Sequence, residues 1–221
     1  MNLISPENLS KIIDSDCIVI DTRSHFDFAL GHLPASINIF FPENFFELWN
    51  LLVNDDSKVV LITDKDMELV LEKNILKTGF QGLVGILEGG FPAWKKTFPN
   101  KVDLIIDVSP EEFRIDYQFD EFHLIDVRTE DQFELCHIED AENFPIADLI
   151  HTIADVAIHL PIYIYGASYS EAVLAASIFK YYEINNVRVV NDGFERIITT
   201  EKLPTVSSKK QSGASNSFFS N

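Results

Sequence analysis

The chain contains itself twice. Ile20-Asp21-Thr22-Arg23, followed by Gly31-His32-Leu33, returns as Ile125-Asp126-Val127-Arg128 followed by Cys136-His137-Ile138. Ser5-Pro6-Glu7 recurs as Ser109-Pro110-Glu111 at an offset of 104, and Gly90-Phe91 recurs as Gly193-Phe194 at an offset of 103. Matches at the start, middle and end of each unit mean that a whole domain is duplicated, since a solenoid would repeat every ~20–50 residues. Two units of about 100 residues are each large enough to bury a core of their own. The expected organisation is a first domain over 1–98, a second over 106–203, and a tail over 204–221. The tail's Ser-Ser-Lys-Lys-Gln-Ser-Gly run is too polar to pack and is expected to be disordered.

Within each unit, short apolar runs alternate with helical periodicity. Strands are expected at 17–20, 59–63 and 83–87, and again at 123–127, 162–165 and 187–190. Long helices are expected at 66–78, ended by Gly79 as a left-handed cap, and at 170–182. Ser5 before Pro6 starts a helix, because serine accepts from the free amides of the first turn and proline needs no partner at the first helical position. The stretch 96–106, with Pro99-Asn100, reads as the linker. Strands that alternate with helices imply a parallel sheet covered on both faces, so the fold class is α/β in both halves.

Composition narrows the function. Hydrophobic residues make up 46% of the chain, but no apolar run approaches the ~20 residues that span a bilayer, and the start Met-Asn-Leu-Ile-Ser-Pro lacks a basic region followed by an apolar one. A cytoplasmic protein is expected. Its two cysteines, Cys17 and Cys136, lie in separate units, and its six histidines form no His-x-His pair and no His-Glu-x-x-His helix. No disulfide framework, metal or other cofactor is therefore expected. Against 17 basic residues stand 35 acidic ones, a formal charge of −18. That balance favours solubility, disfavours nucleic acid and membrane partners, and leaves a basic protein as the partner class it suits.

The residues of 20–38, Ile-Asp-Thr-Arg-Ser-His-Phe-Asp-Phe-Ala-Leu-Gly-His-Leu-Pro-Ala-Ser-Ile-Asn, resemble the N-terminal signature of the rhodanese family, and Glu88-Gly89-Gly90-Phe91-Pro92-Ala93-Trp94 resembles its C-terminal signature. The second unit keeps a weaker, collinear version in Ile-Asp-Val-Arg, Cys-His-Ile and Asn-Asp-Gly-Phe. The first unit is most similar to the rhodanese units fused to metallo-β-lactamase-like hydrolases. The resemblance implies two tandem domains, each a five-stranded parallel sheet flanked by helices. It also implies a catalytic cysteine at the end of the fourth strand, where backbone amides and a helix N-terminus stabilise a thiolate and then a persulfide.

By that resemblance the nucleophile position falls on Thr63 in the first unit and on Gly166 in the second, so neither loop carries the thiol. Asp64, Asp66 and Glu68 would repel thiosulfate from the first loop. The second loop, Gly166-Ala167-Ser168-Tyr169-Ser170-Glu171, leaves two readings open: a pocket for a small oxyanion, against which Glu171 competes, or a structural turn in which Ser170 caps the following helix. Asp21, Arg23 and His32, with Asp126, Arg128 and His137, are expected to brace the loops through ion pairs and hydrogen bonds. Cys17 reads as a core residue, and Cys136, although beside His137, lacks a loop cradle. Two functions compete: a non-catalytic binding or regulatory module for a basic protein or a small oxyanion, and a sulfur-relay enzyme of the thiosulfate sulfurtransferase type.

Overall fold

The computed structural model describes residues 2–13, 17–43, 45–156 and 159–207. The first half runs β1 (Leu3–Ile4), α1 (Pro6–Ile12), β2 (Cys17–Asp21), α2 (His25–Ala29), β3 (Ile37–Asn38), α3 (Phe45–Leu52), β4 (Lys58–Ile62), α4 (Glu68–Lys77), β5 (Leu83–Leu87) and α5 (Gly90–Thr97). The second half runs β6 (Ile106–Val108), α6 (Pro110–Phe119), β7 (His123–Asp126), α7 (Glu130–Leu135), β8 (His137–Ile138), β9 (Glu142–Asn143), α8 (Ile146–Thr152), β10 (Ile162–Gly166), α9 (Tyr169–Tyr181), β11 (Val187–Gly193), α10 (Phe194–Glu201) and β12 (Thr205–Val206).

Each half folds into a five-stranded parallel sheet flanked by helices, in the orders β1-β5-β4-β2-β3 and β6-β11-β10-β7-β9. Position by position these are the same order, as duplication requires. The repeated Ser-Pro pairs do the same local work twice. Ser5 caps α1 by accepting from the Asn8 amide, and Ser109 forms a reciprocal capping box with Glu112 on α6.

Two segments expected to be a linker and a tail are structural. Asp103 forms an antiparallel bridge with His32, and Val206 lies opposite His137 where β12 pairs antiparallel with β8. In each half the trailing segment thus returns to close over the Gly-His or Cys-His turn. The second domain therefore extends through Val206, because β8 offers an edge that β12 pairs. The rest of the expected disordered tail, 208–221, lies outside the described residues.

The boundary between the halves is not a boundary of the core. One cluster of buried apolar side chains runs from Ile20, Phe28 and Ile37 in the first half to Ala172, Ala176 and Phe179 in the second. The connecting element is α9, whose residues Ala172 to Lys180 are all buried. One side of it packs on β10 and β11 of its own sheet, and the other on β3 and α2 of the first domain. Such a helix is buried all round instead of along one stripe, and its few buried polar groups must find partners. Its Ala and Ser residues admit close neighbours, and Ser177 Oγ accepts from the Asn38 amide at 3.1 Å while donating to the Leu174 carbonyl at 2.7 Å. Lys180, also buried, donates from Nζ to Asp103 at 2.8 Å.

Each unit does bury a cluster of its own, Ile4 to Trp94 in the first and Val108 to Leu203 in the second, but the largest cluster is common to both. Ser177→Ala should lower the stability of the intact chain by about 1–2 kcal/mol, because the Asn38 amide is left buried and unsatisfied. Urea unfolding followed by far-ultraviolet circular dichroism checks this, with both halves expected to unfold in one transition.

Candidate functional site

The duplicated motif builds the same brace twice. In the first domain Arg23 forks onto Asp21, with Nη2 to Oδ2 at 2.6 Å and Nε to Oδ1 at 3.0 Å. It also donates to the Gly31 carbonyl at 2.9 Å and lies 4.2 Å from the centre of the Phe91 ring. In the second domain Arg128 forks onto Asp126 with the same two distances, 2.6 and 3.0 Å. It donates to the Cys136 carbonyl at 2.7 Å and lies 3.5 Å from the Phe194 ring centre. All four charged residues are buried. Each arginine thus joins the N-terminal motif of its domain to the glycine-aromatic pair at the far end of the same unit.

Sequence reasoning missed two partners of this brace. Asn38 donates from Nδ2 to the Asp21 and Arg23 carbonyls, and Asn143 does the same for Asp126 and Arg128. Phe28 stacks on His32 at 3.9 Å and Phe133 on His137 at 3.6 Å, each histidine ring bonded through Nδ1 to the carbonyl of that same phenylalanine. Both pairs recur at the 105-residue offset of Asp21 and Asp126, which is the signal that finds them.

The two loops differ in charge and in closure. Thr63 follows β4 and is buried, while Asp64 and Asp66 are exposed and α4 begins without a side-chain cap. Gly166 ends β10. A Cβ there would meet the Glu171 Cβ at 2.9 Å, its Oε2 at 3.0 Å and Val127 Cγ2 at 3.2 Å. The Ala167 amide, a donor expected to serve an oxyanion, donates instead to Glu171 Oε2 at 2.8 Å. Ser168, not Ser170, caps α9, accepting from the Glu171 amide; Ser170 lies in the first helical turn with its hydroxyl 2.9 Å from that of Ser168. Ser168 takes the cap because the helix starts one residue earlier than its apolar periodicity suggests. The first loop and the second each abut the glycine that opens or precedes the last helix of the unit. A Cβ on Gly90 would stand 2.8 Å from the Thr63 carbonyl, and one on Gly193 would strike that of Ala167.

Tyr169 leaves the loop. Its hydroxyl donates to both carboxylate oxygens of Asp107 at 2.7 Å, and its ring packs against His25 and Phe26 of the first domain. Burial pushes both the Tyr169 hydroxyl and the Asp107 carboxyl up, with the hydrogen bond and the Asp107 charge adding to the tyrosine's shift. Ser168, Ser170 and Glu171 line a cleft between the domains, together with His25, Glu43 and Glu47. Cys17 is half-buried on β2, where burial raises its thiol pKa, and Cys136 ends α7 with its carbonyl held by Arg128.

A model of the rhodanese-like domain matches the chain over residues 5–97 and again over 109–200. The chain belongs to the rhodanese-like family. No curated protein matches its sequence. Among solved structures it is similar to a thiosulfate sulfurtransferase from Pseudomonas aeruginosa, at 14% identity and a TM-score of 0.44, over 95% of this chain and 44% of that one. It thus spans under half of that protein. A 3-mercaptopyruvate sulfotransferase from Escherichia coli is similar at 16% identity and a TM-score of 0.37, over 86% of this chain and 98% of that one. The Alr3790 protein from Anabaena sp. is similar at 21% identity and a TM-score of 0.42, over 45% of this chain and 91% of that one. Among the described residues, no helix of this rhodanese-like chain is long and apolar enough to cross a membrane.

The brace histidine of the first domain, His32, carries an electrostatic cost. It is fully buried, and its Nε2, without a hydrogen bond among the described residues, lies 3.8 Å from Asp103. Burial pushes its pKa down to about 4; the charges of Lys180 and Arg23 add to that, and the Phe28 carbonyl and Asp103 oppose it. In the unfolded chain a histidine titrates near 6.5. Between those values the unfolded chain takes up the proton first, so the histidine's contribution to stability is present above about pH 6.5 and lost as pH falls toward 4. Comparing the chain with His32→Gln in urea at pH 7 and pH 4.5 isolates this effect. The unsubstituted chain should lose roughly 1–3 kcal/mol more than the variant over that range.

Proposed function

We propose that this tandem rhodanese-like chain is a non-catalytic recognition module of the cytoplasm that docks a basic partner. The observation that carries the reading is the second loop. There Gly166 supplies no nucleophile, Glu171 and Val127 crowd the place where a side chain would start, and the Glu171 carboxylate takes the Ala167 amide. The first loop supports it with Thr63 at the corresponding position and exposed carboxylates after it. A threonine hydroxyl has no route to a persulfide, and a thiosulfate dianion meets negative charge at both loops. The overall charge of −18 favours a cationic partner for the same reason.

The competing sulfur-relay reading is separated by one assay. Purified protein with thiosulfate and cyanide should form no thiocyanate above the uncatalysed rate. Turnover that survives replacement of both Cys17 and Cys136 would establish another mechanism; turnover lost on replacing Cys136 alone would place the nucleophile there. The oxyanion reading is separated by titration with sulfate. Amide resonances of residues 166–172 should stay unmoved, because an external anion must displace a carboxylate that is already tethered; shifts confined to those residues would favour the oxyanion.

A further inference from the structure

Between the two domains lies a cleft of about 340 Å³, the size of the smaller ligand pockets. Its charged lining is one-sided. Glu43 and Glu47, around the start of α3, contribute carboxylates from the first domain, and Glu171 contributes one from the second. The lining arginine, Arg128, is already neutralised: its guanidinium is forked onto Asp126, bonded to the Cys136 carbonyl and stacked on Phe194. His25 adds no positive charge near neutrality, since burial lowers its pKa against the pull of Glu43.

The remaining lining is uncharged, with polar Thr129, Gln132 and Ser168 beside apolar and aromatic side chains. His25 and Phe40 line the cleft with ring centres 6.4 Å apart at 86°, and Leu48 and Leu174 give it aliphatic surface. The His25 Nδ1 is buried and has no hydrogen-bond partner among the described residues, which provides a polar atom that a ligand N–H can satisfy. Glu171 is preorganised as well, its Oε2 fixed by the Ala167 amide at 2.8 Å. Carboxylates contributed by both domains, an aromatic pair and aliphatic side chains together recognise a cation carried on a short hydrocarbon frame.

We propose that the interdomain cleft binds a single alkylammonium or alkylguanidinium group between Glu43 and Glu47 of the first domain and Glu171 of the second. This deepens the docking reading and rests on it for the partner's charge. The group reaches the cleft either as a free small amine or as a lysine or arginine side chain of a basic peptide, and the two sources are separated by experiment.

The intact chain is titrated with agmatine, and separately with a short Arg-Lys peptide, by amide NMR and calorimetry. Agmatine should shift the amides of His25, Ala147 and Glu171 and bind in the millimolar range or tighter, on the order of 4 kcal/mol or more. Glu43→Gln and Glu47→Gln, at exposed positions where the fold tolerates change, should each weaken binding roughly tenfold, about 1.4 kcal/mol, with an unchanged thermal midpoint. If the peptide binds with the same shifts and the same sensitivity to both variants, the source is a protein side chain; if agmatine alone does so, it is a free amine. Either result supports the cleft. No shift of those three amides with either probe overturns it, as does binding of both probes that both variants leave unaffected. That last result would leave the docking reading standing at another surface, whereas thiocyanate formation would remove the docking reading without touching the cleft.

Discussion

The carboxylate–guanidinium fork at the end of β2, and again at the end of β7, holds the rest of each domain in register. A buried ion pair is weak evidence of stability in itself, because desolvation offsets most of its attraction, and apolar replacement of such pairs is often neutral. Its effect here is positional. Arg23 joins four pieces of chain: the end of β2 through Asp21, the turn after α2 through the Gly31 carbonyl, α5 through the Phe91 ring, and β3 through Asn38 at its own carbonyl. Removing either partner would leave a buried charge uncompensated, a loss of about 3–5 kcal/mol. The duplicate in the second domain repeats the arrangement with Cys136 in place of Gly31, which is possible because only the backbone carbonyl is used.

Asp103 extends that order across the chain. Its backbone pairs with His32, and its carboxylate lies 3.8 Å from the His32 ring and 2.8 Å from Lys180 on α9. Burial works against the Asp103 charge, but hydrogen bonds from Lys180 and the Leu104 amide bring its pKa below the ordinary value. A residue in the connecting segment thus closes the first domain and ties it to the helix that the two domains share. With α9 buried on both sides, the largest apolar cluster belongs to both halves, although each also has a smaller cluster of its own.

Much of this was readable from the residues. The six strands and two long helices read from apolar periodicity lie within a few residues of β2, β4, β5, β7, β10, β11, α4 and α9, and the parallel α/β class follows from their alternation; the edge strands and most of the other helices are too short to show a period. The brace is recognisable as charged residues repeated at strand ends, whereas the asparagines that cap it are not, since a polar residue at a strand end has many roles. The shared helix was harder. Ala172, Ala175, Ala176 and Ser177 suit a helix at 170–182 without showing which faces are covered, and only tertiary packing turns small residues into a close interface. The β12 pairing was masked by composition, because Thr205-Val206 is two residues of strand before a polar run and gains its order from the edge that β8 offers.

In the second loop the start of a helix is satisfied by a carboxylate of its own chain. The N-terminus of a helix such as α9 favours negative charge, since its first amides have no partner within the helix. A diffusible anion must pay translational entropy to reach them. A carboxylate four residues along the chain does not, and Glu171 sits on the Ala167 amide with its own backbone amide capped by Ser168. The attraction that would draw an anion into the loop is thereby satisfied internally. What remains for the cleft is the outward field of Glu171 together with Glu43 and Glu47, opposed by no unpaired arginine or lysine among the described lining residues. The same peptide geometry that stabilises a bound anion therefore ends by presenting negative charge to whatever enters between the domains.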